Sequence, residues 1–117
     1  MTDLINQSCV NCNSESQALA NSELAEYLQQ LIGWQVVPGT DARDVLQKLE
    51  KTFNFENYQQ AMDFTNRVAE LAEAEDHHPA LLVEWGKVRV TWWTHAVGGL
   101  HSNDFICAAK TDLLVNK

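Results

Sequence analysis

Apolar residues follow two rhythms along this chain. Between Lys87 and His95 they alternate. Val88, Val90 and Trp92 take one side, and Arg89, Thr91, Trp93 and His95 take the other. A period of two predicts a strand over 87–95. Leu81 to Trp85 predicts its partner, with a short hairpin turn at Gly86-Lys87. An earlier pair runs from Trp34 to Val37 and from Asp44 to Phe53, split by the turn signal Pro38-Gly39-Thr40-Asp41. Val45, Leu49 and Phe53 share one face of the second of these strands.

The other rhythm is helical. Ser22 is a good N-cap for a helix to about Leu31, with Leu24, Tyr27, Leu28 and Leu31 on one stripe and Gly33 as the stop. Asn54 can cap a long helix from Phe55 to about Asp76. Tyr58, Ala61, Met62, Thr65, Val68, Ala69 and Ala72 form its expected buried stripe, and Pro79 ends it. After the Gly98-Gly99 loop, Ser102 is the expected cap of a last helix with Phe105, Ile106, Ala109 and Leu113 inward. The order α-β-β-α-β-β-α predicts an α+β domain, three helices packed on a four-stranded antiparallel sheet. The outer strands would be open edges, and edge pairing is one route to a dimer. Residues 1–21 are rich in Asn, Gln and Ser and hold Cys9 and Cys12. They are expected to form a flexible arm ahead of a single domain over 22–117.

Composition narrows the function classes. A chain of 117 residues is one domain, large enough to bury roughly two thirds of its unfolded surface without a disulfide or metal staple. Sixteen acidic residues against eight basic ones give a net charge of −8. Scattered Lys and Arg argue against nucleic acid, and the charge opposes an anionic membrane. The longest apolar run, Ala80-Leu81-Leu82-Val83, is far too short to span a bilayer. Three cysteines and no secretory signal point to a cytoplasmic protein.

All four histidines fall between residues 77 and 101. His77 and His78 end the long helix before Pro79, and His95 ends the best strand, so all three can meet at one rim of the sheet. Glu73 stands four residues before His77. If the helix continued, its carboxylate would face that imidazole and favour the charged form, as would the helix C-terminal dipole. A histidine is a usable acid near neutral pH. An isolated histidine pair at a helix end more often just satisfies backbone carbonyls. A metal site is the rival reading, but adjacent histidines seldom share an ion, and Cys9-x-x-Cys12 has no matching second half. No metal or cofactor is therefore expected. Cys107 reads as a small buried residue, and His101 as a structural loop residue near the Ser102 cap. Trp85, Trp92 and Trp93 could each stack on a flat ligand, although core packing accounts better for Trp92 and Trp85. Asp104, in the first turn of the last helix, complements its dipole or orients a histidine.

Glu73-x-x-x-His77-His78-Pro79, then Trp85, His95 and Asp104 at their spacing, resembles the signature of the pterin-4a-carbinolamine dehydratases. Phe53-Asn54-Phe55-Glu56-Asn57-Tyr58, Phe64-Thr65-Asn66-Arg67-Val68, Trp34 and Lys87-Val88-Arg89-Val90-Thr91 are similar to that family too, so the likeness covers about residues 22 to 115. The bacterial branch is the most similar. Where some members carry a tryptophan two residues past the proline, this chain has Leu81.

The resemblance implies the fold expected above and a homodimer or a tetramer of dimers. It implies dehydration of 4a-hydroxytetrahydrobiopterin to quinonoid dihydrobiopterin, recycling the cofactor of aromatic amino acid hydroxylases, with a functional link to phenylalanine hydroxylase. His77, His78 and His95 carry over as catalytic residues and Glu73 and Asp104 as supporting ones. His78, Pro79 and Trp93 are the expected pterin-binding residues. The alternatives are a non-catalytic dimerisation or transcriptional cofactor module on the same fold, and a metal-dependent hydrolase using the histidines.

Overall fold

The computed structural model describes residues 4, 21–37, 47–94 and 100–115. The elements follow the expected order: α1 (Asn21–Leu28), β1 (Gln35–Val37), β2 (Lys48–Asn54), α2 (Tyr58–Glu75), β3 (Ala80–Glu84), β4 (Lys87–Trp92) and α3 (Ser102–Leu113). The sheet is antiparallel throughout, in spatial order β1-β2-β4-β3. Two hairpins are thus joined through their inner strands, β2 and β4. Apart from Leu4, and from Asn21, which opens α1 instead of ending the arm, the expected arm lies outside the described residues, as do Val45 and the 38–41 turn. Leu4 itself is buried in the core.

Alternation decides which face of the sheet is covered. Val88, Val90 and Trp92 are fully buried, as is Leu49, with Phe53 nearly so. Thr52, Asn54, Leu82, Lys87 and Arg89 are exposed on the opposite face. The β3–β4 turn is Trp85-Gly86. Gly86 takes φ +71, and a Cβ there would come 3.1 Å from the Phe55 carbonyl oxygen. The close approach is used, because the Phe55 N–H donates to the Gly86 carbonyl at 2.7 Å. Trp85, expected in the core, instead sits on this turn and is 73% exposed.

Helix boundaries and phases depart from the expected ones in informative ways. Asn54 does not cap α2, because it is the last β2 residue, paired with Lys87. Asn57 is the cap, its side-chain oxygen accepting from the Gln60 N–H at 2.8 Å. The buried stripe of α2 is Ala61, Phe64, Val68 and Ala72. Phe64 takes the core position because Phe53 and Phe55 lie 4.8 and 5.1 Å from it between ring centroids. Tyr58 and Ala69 therefore turn outward. α1 stops at Leu28, short of the expected Leu31. Trp34 lies just outside β1, with its indole N–H shared between both Asp112 carboxylate oxygens at 3.1 Å.

α3 is the central helix. Residues Asn103 to Ala109 are all buried, so one stripe does not describe it. The sheet and α2 pack on it, and Tyr27 of α1 stacks on Phe105 at 5.2 Å. Leu113, expected inward, is 52% exposed past this buried section. Lys110 pairs with Glu75, tying α3 to the end of α2.

Asn57→Ala should lower stability by about 1 kcal/mol, whereas Asn54→Ala should stay within about 0.5 kcal/mol of the parent. Urea denaturation midpoints measure both, and an equal loss in the two variants would contradict the assigned cap.

Candidate active site

The end of α2 determines how the histidine pair is used. The helix stops at Glu75, and Asp76 takes φ 50, ψ 44, in the left-handed region. Aspartate tolerates that conformation better than most residues. The Asp76 N–H bonds back to Ala72 and Glu73, and the His77 N–H reaches the Ala72 carbonyl at 3.1 Å. This wrap-up ends the helix before Pro79 requires it. Glu73 therefore does not face His77. Its carboxylate meets His78 Nε2 at 2.8 Å, on a surface where the side chains are 80% and 55% exposed.

His77 turns inward. Its Nε2 lies 2.6 Å from Asp104 Oδ1, with the histidine side chain 11% exposed and the aspartate fully buried. Oδ2 of the same carboxylate accepts from the Thr94 hydroxyl and from the His101 backbone N–H, both at 2.9 Å. When the Asp104 carboxylate is ionised, the His77 Nε2–H is the donor to Oδ1. Nδ1 is then the nitrogen left for other chemistry. The ring lies parallel to Trp92, 5.6 Å between centroids with 6° between planes.

Asp104 belongs to a capping box. His101, not Ser102, is the N-cap of α3. Its Nδ1 accepts from the Asn103 N–H at 3.1 Å, while Asp104 returns a bond to the His101 N–H. Burial holds the His101 imidazole below its ordinary value. Asp104 opposes this shift and His77 reinforces it. A neutral ring is also what the cap needs, because a protonated Nδ1 could not accept.

Of the expected site residues, Glu73, His77, His78 and Asp104 form two neighbouring histidine–carboxylate pairs at the α2–β3 corner. Pro79 is half-buried there. Trp93 follows Trp92 out of phase, on the opposite face of the sheet, with the Lys48 ammonium 4.5 Å from its ring centroid. His95 lies outside the described residues. Among the described residues, no three His, Cys, Asp or Glu side chains are grouped as a metal site requires, and no helix is long and apolar enough to cross a membrane. Cys107 is buried, as expected. Thr94, Trp92 and His101 were not foreseen as parts of the site. Only His101 carried a local signal, the acid three residues after it.

Comparison with known proteins adds four findings. A family model described as pterin 4 alpha carbinolamine dehydratase matches residues 17–114. A Chlorobaculum tepidum protein named "Putative pterin-4-alpha-carbinolamine dehydratase" is 51% identical over 115 residues, 98% of this chain and 100% of its own. A crystal structure described as a transcriptional coactivator/pterin dehydratase from Brucella melitensis is similar with TM-score 0.73 and 32% identity, over 85% of this chain and 99% of that one. A pterin dehydratase-like RuBisCO assembly factor of the alpha-carboxysome shares the fold alone, with TM-score 0.59 and 18% identity over 92% and 99% of the two chains.

The depressed His101 gives a pH signature. Its contribution to stability is complete above the ordinary value of 6.5 and is lost as pH falls from there through the lowered folded value, because the unfolded chain protonates first. His101→Asn keeps a capping side chain without the titration. The fall in urea midpoint from pH 8 to pH 5 should therefore be smaller in the variant than in the parent. Equal slopes would contradict a depressed His101.

Proposed function

The chain belongs to the pterin 4 alpha carbinolamine dehydratase family, and from that premise we propose that it dehydrates 4a-hydroxytetrahydrobiopterin to quinonoid dihydrobiopterin and water by histidine acid/base catalysis. The observation that carries this reading is the division of labour at the α2–β3 corner. One imidazole is buried and held by a carboxylate, and its neighbour is exposed.

The reaction needs one proton delivered and one removed. The C4a–O bond breaks as the departing hydroxyl takes a proton from an imidazolium and becomes water. The N5–H bond pair becomes the new C4a=N5 double bond, and the N5 proton passes to a base. Electrons balance without an oxidant, and imidazoles can perform both transfers. With Nε2 engaged by Asp104, His77 would present Nδ1 to the leaving oxygen. His95, which follows Thr94 in sequence, is the proposed second acid/base. His78, loosely paired with Glu73, would bind and orient the pterin beside Pro79. Trp93 has the least support among the proposed binding residues, since it faces the other side of the sheet. The proposed physiological setting is pterin recycling for phenylalanine hydroxylase, by a homodimer or tetramer in the cytoplasm.

The Brucella relative is described as a transcriptional coactivator as well as a pterin dehydratase, which favours a second reading, a partner-binding module. Nothing in partner binding requires a buried histidine–aspartate pair, so the enzyme reading ranks first.

The test is dehydration of freshly made 4a-hydroxytetrahydropterin, followed by ultraviolet absorbance with EDTA present. Turnover well above the spontaneous rate should survive EDTA. His77→Ala should cut kcat by about 100-fold or more with little change in KM. His78→Ala should raise KM more than it lowers kcat. A parent protein no faster than the spontaneous reaction would overturn the reading and bring the partner module forward. Activity abolished by EDTA would instead favour metal chemistry.

A further inference from the structure

We propose that Trp92 is a positioning residue that fixes the plane of the His77 imidazole, and that α3 anchors it for this task through Thr111. The catalytic consequence rests on the dehydratase reading, whereas the packing does not. A hydrogen bond to Asp104 Oδ1 holds His77 at one atom. A ring held at one atom can still swing about that point and tilt its free nitrogen. The second constraint is the indole face, parallel to the imidazole within 6° at 5.6 Å. Two aromatic faces in offset contact resist relative tilt, because tilting opens a gap on one side and a clash on the other.

The indole is itself held. Trp92 is the last residue of β4, in register with Leu49, and has no exposed surface. Its Nε1–H donates to Thr111 Oγ1 at 3.3 Å, and that hydroxyl donates to the Cys107 carbonyl at 2.6 Å. Both constraints on His77 therefore come through α3, with Asp104 in its first turn and Thr111 two turns on. Val88 and Val90 show that this face of β4 can be filled by aliphatic side chains. An aliphatic residue at 92 would fill volume but offer no plane. Since Trp92 is wholly buried beneath the ring, it acts through His77 and does not touch substrate.

Misalignment of a proton-transfer group costs rate without weakening substrate binding. The test compares Trp92→Met, Trp92→Phe and Thr111→Val, with folding checked by circular dichroism. The Met variant should lower kcat about 10- to 100-fold with KM within about twofold. Phe, which restores a flat face, should recover all but about threefold of that loss. A readout independent of activity is the NMR position of the His77 ring C–H protons, assigned by their loss in His77→Gln. The indole face should shift them upfield in the parent, and Met should release them. A folded Met variant with the parent's kcat would overturn the proposal, as would unchanged His77 resonances. If the Met variant does not fold, Thr111→Val decides, since it frees the indole with little change in volume. It should lower kcat about threefold and move the His77 resonances, and no change in either would overturn the proposal. A parent without turnover would sink the dehydratase reading alone, and the resonances would still decide the packing.

Discussion

A carboxylate with no exposed surface must find donors for both its oxygens, or the fold cannot keep it charged. Asp104 finds three: the imidazole of His77, the hydroxyl of Thr94 and the backbone N–H of His101. They come from the corner after α2, the segment just past β4 and the start of α3. Each segment is therefore registered against the others through one side chain. The N-terminal dipole of α3 adds a favourable field. Removing any donor would leave a buried acceptor short, a cost of about 1–3 kcal/mol. This single residue ties the helix layer to the sheet at the place where the histidines gather.

The same constraint separates two residues that are adjacent in sequence. His77 is clamped by a buried acid and an aromatic face, and His78 is paired with Glu73 in the open. An exposed pair of that kind contributes at most about 1 kcal/mol and leaves its imidazole free to move. One rigid imidazole beside one adaptable imidazole is the arrangement that the proposed dehydration calls for, with one ring to move a proton and the other to follow the substrate. The left-handed Asp76 makes this possible by turning the backbone between the helix and the pair. It is the one non-glycine residue with positive φ among those described, and backbone strain of this sort collects at functional sites.

Much of this architecture was legible in the sequence. Alternation in β4 gave its inward face correctly, because Val88, Val90 and Trp92 had no other way to be buried. The order of elements followed from where the two rhythms changed. The cap of α2 was misplaced because Asn54 and Asn57 are equally good caps locally, and pairing of Asn54 with Lys87 chose between them. The phase of α2 slipped because Phe64 was outbid in the pattern by smaller residues around it, yet its contacts with Phe53 and Phe55 decided the rotation. Glu73 was matched to the wrong histidine because one backbone angle at Asp76 redirects the next two side chains. The link from His77 to Asp104 spans 27 positions. No periodicity reports such a contact, whereas the spaced signature of the family names both residues without saying that they touch.

α3 explains how rigidity reaches the site. A helix buried on nearly all sides cannot rotate or slide without disturbing the sheet, α1 and α2 together. It carries Asp104 near one end and Thr111 near the other, and both bear on His77, one directly and one through Trp92. Precision at the imidazole is thus a property of the core and not of the corner loop that bears it. A loop alone would leave His77 to sample several rotamers. Docked against a carboxylate and an indole that share one buried helix, it is held in one.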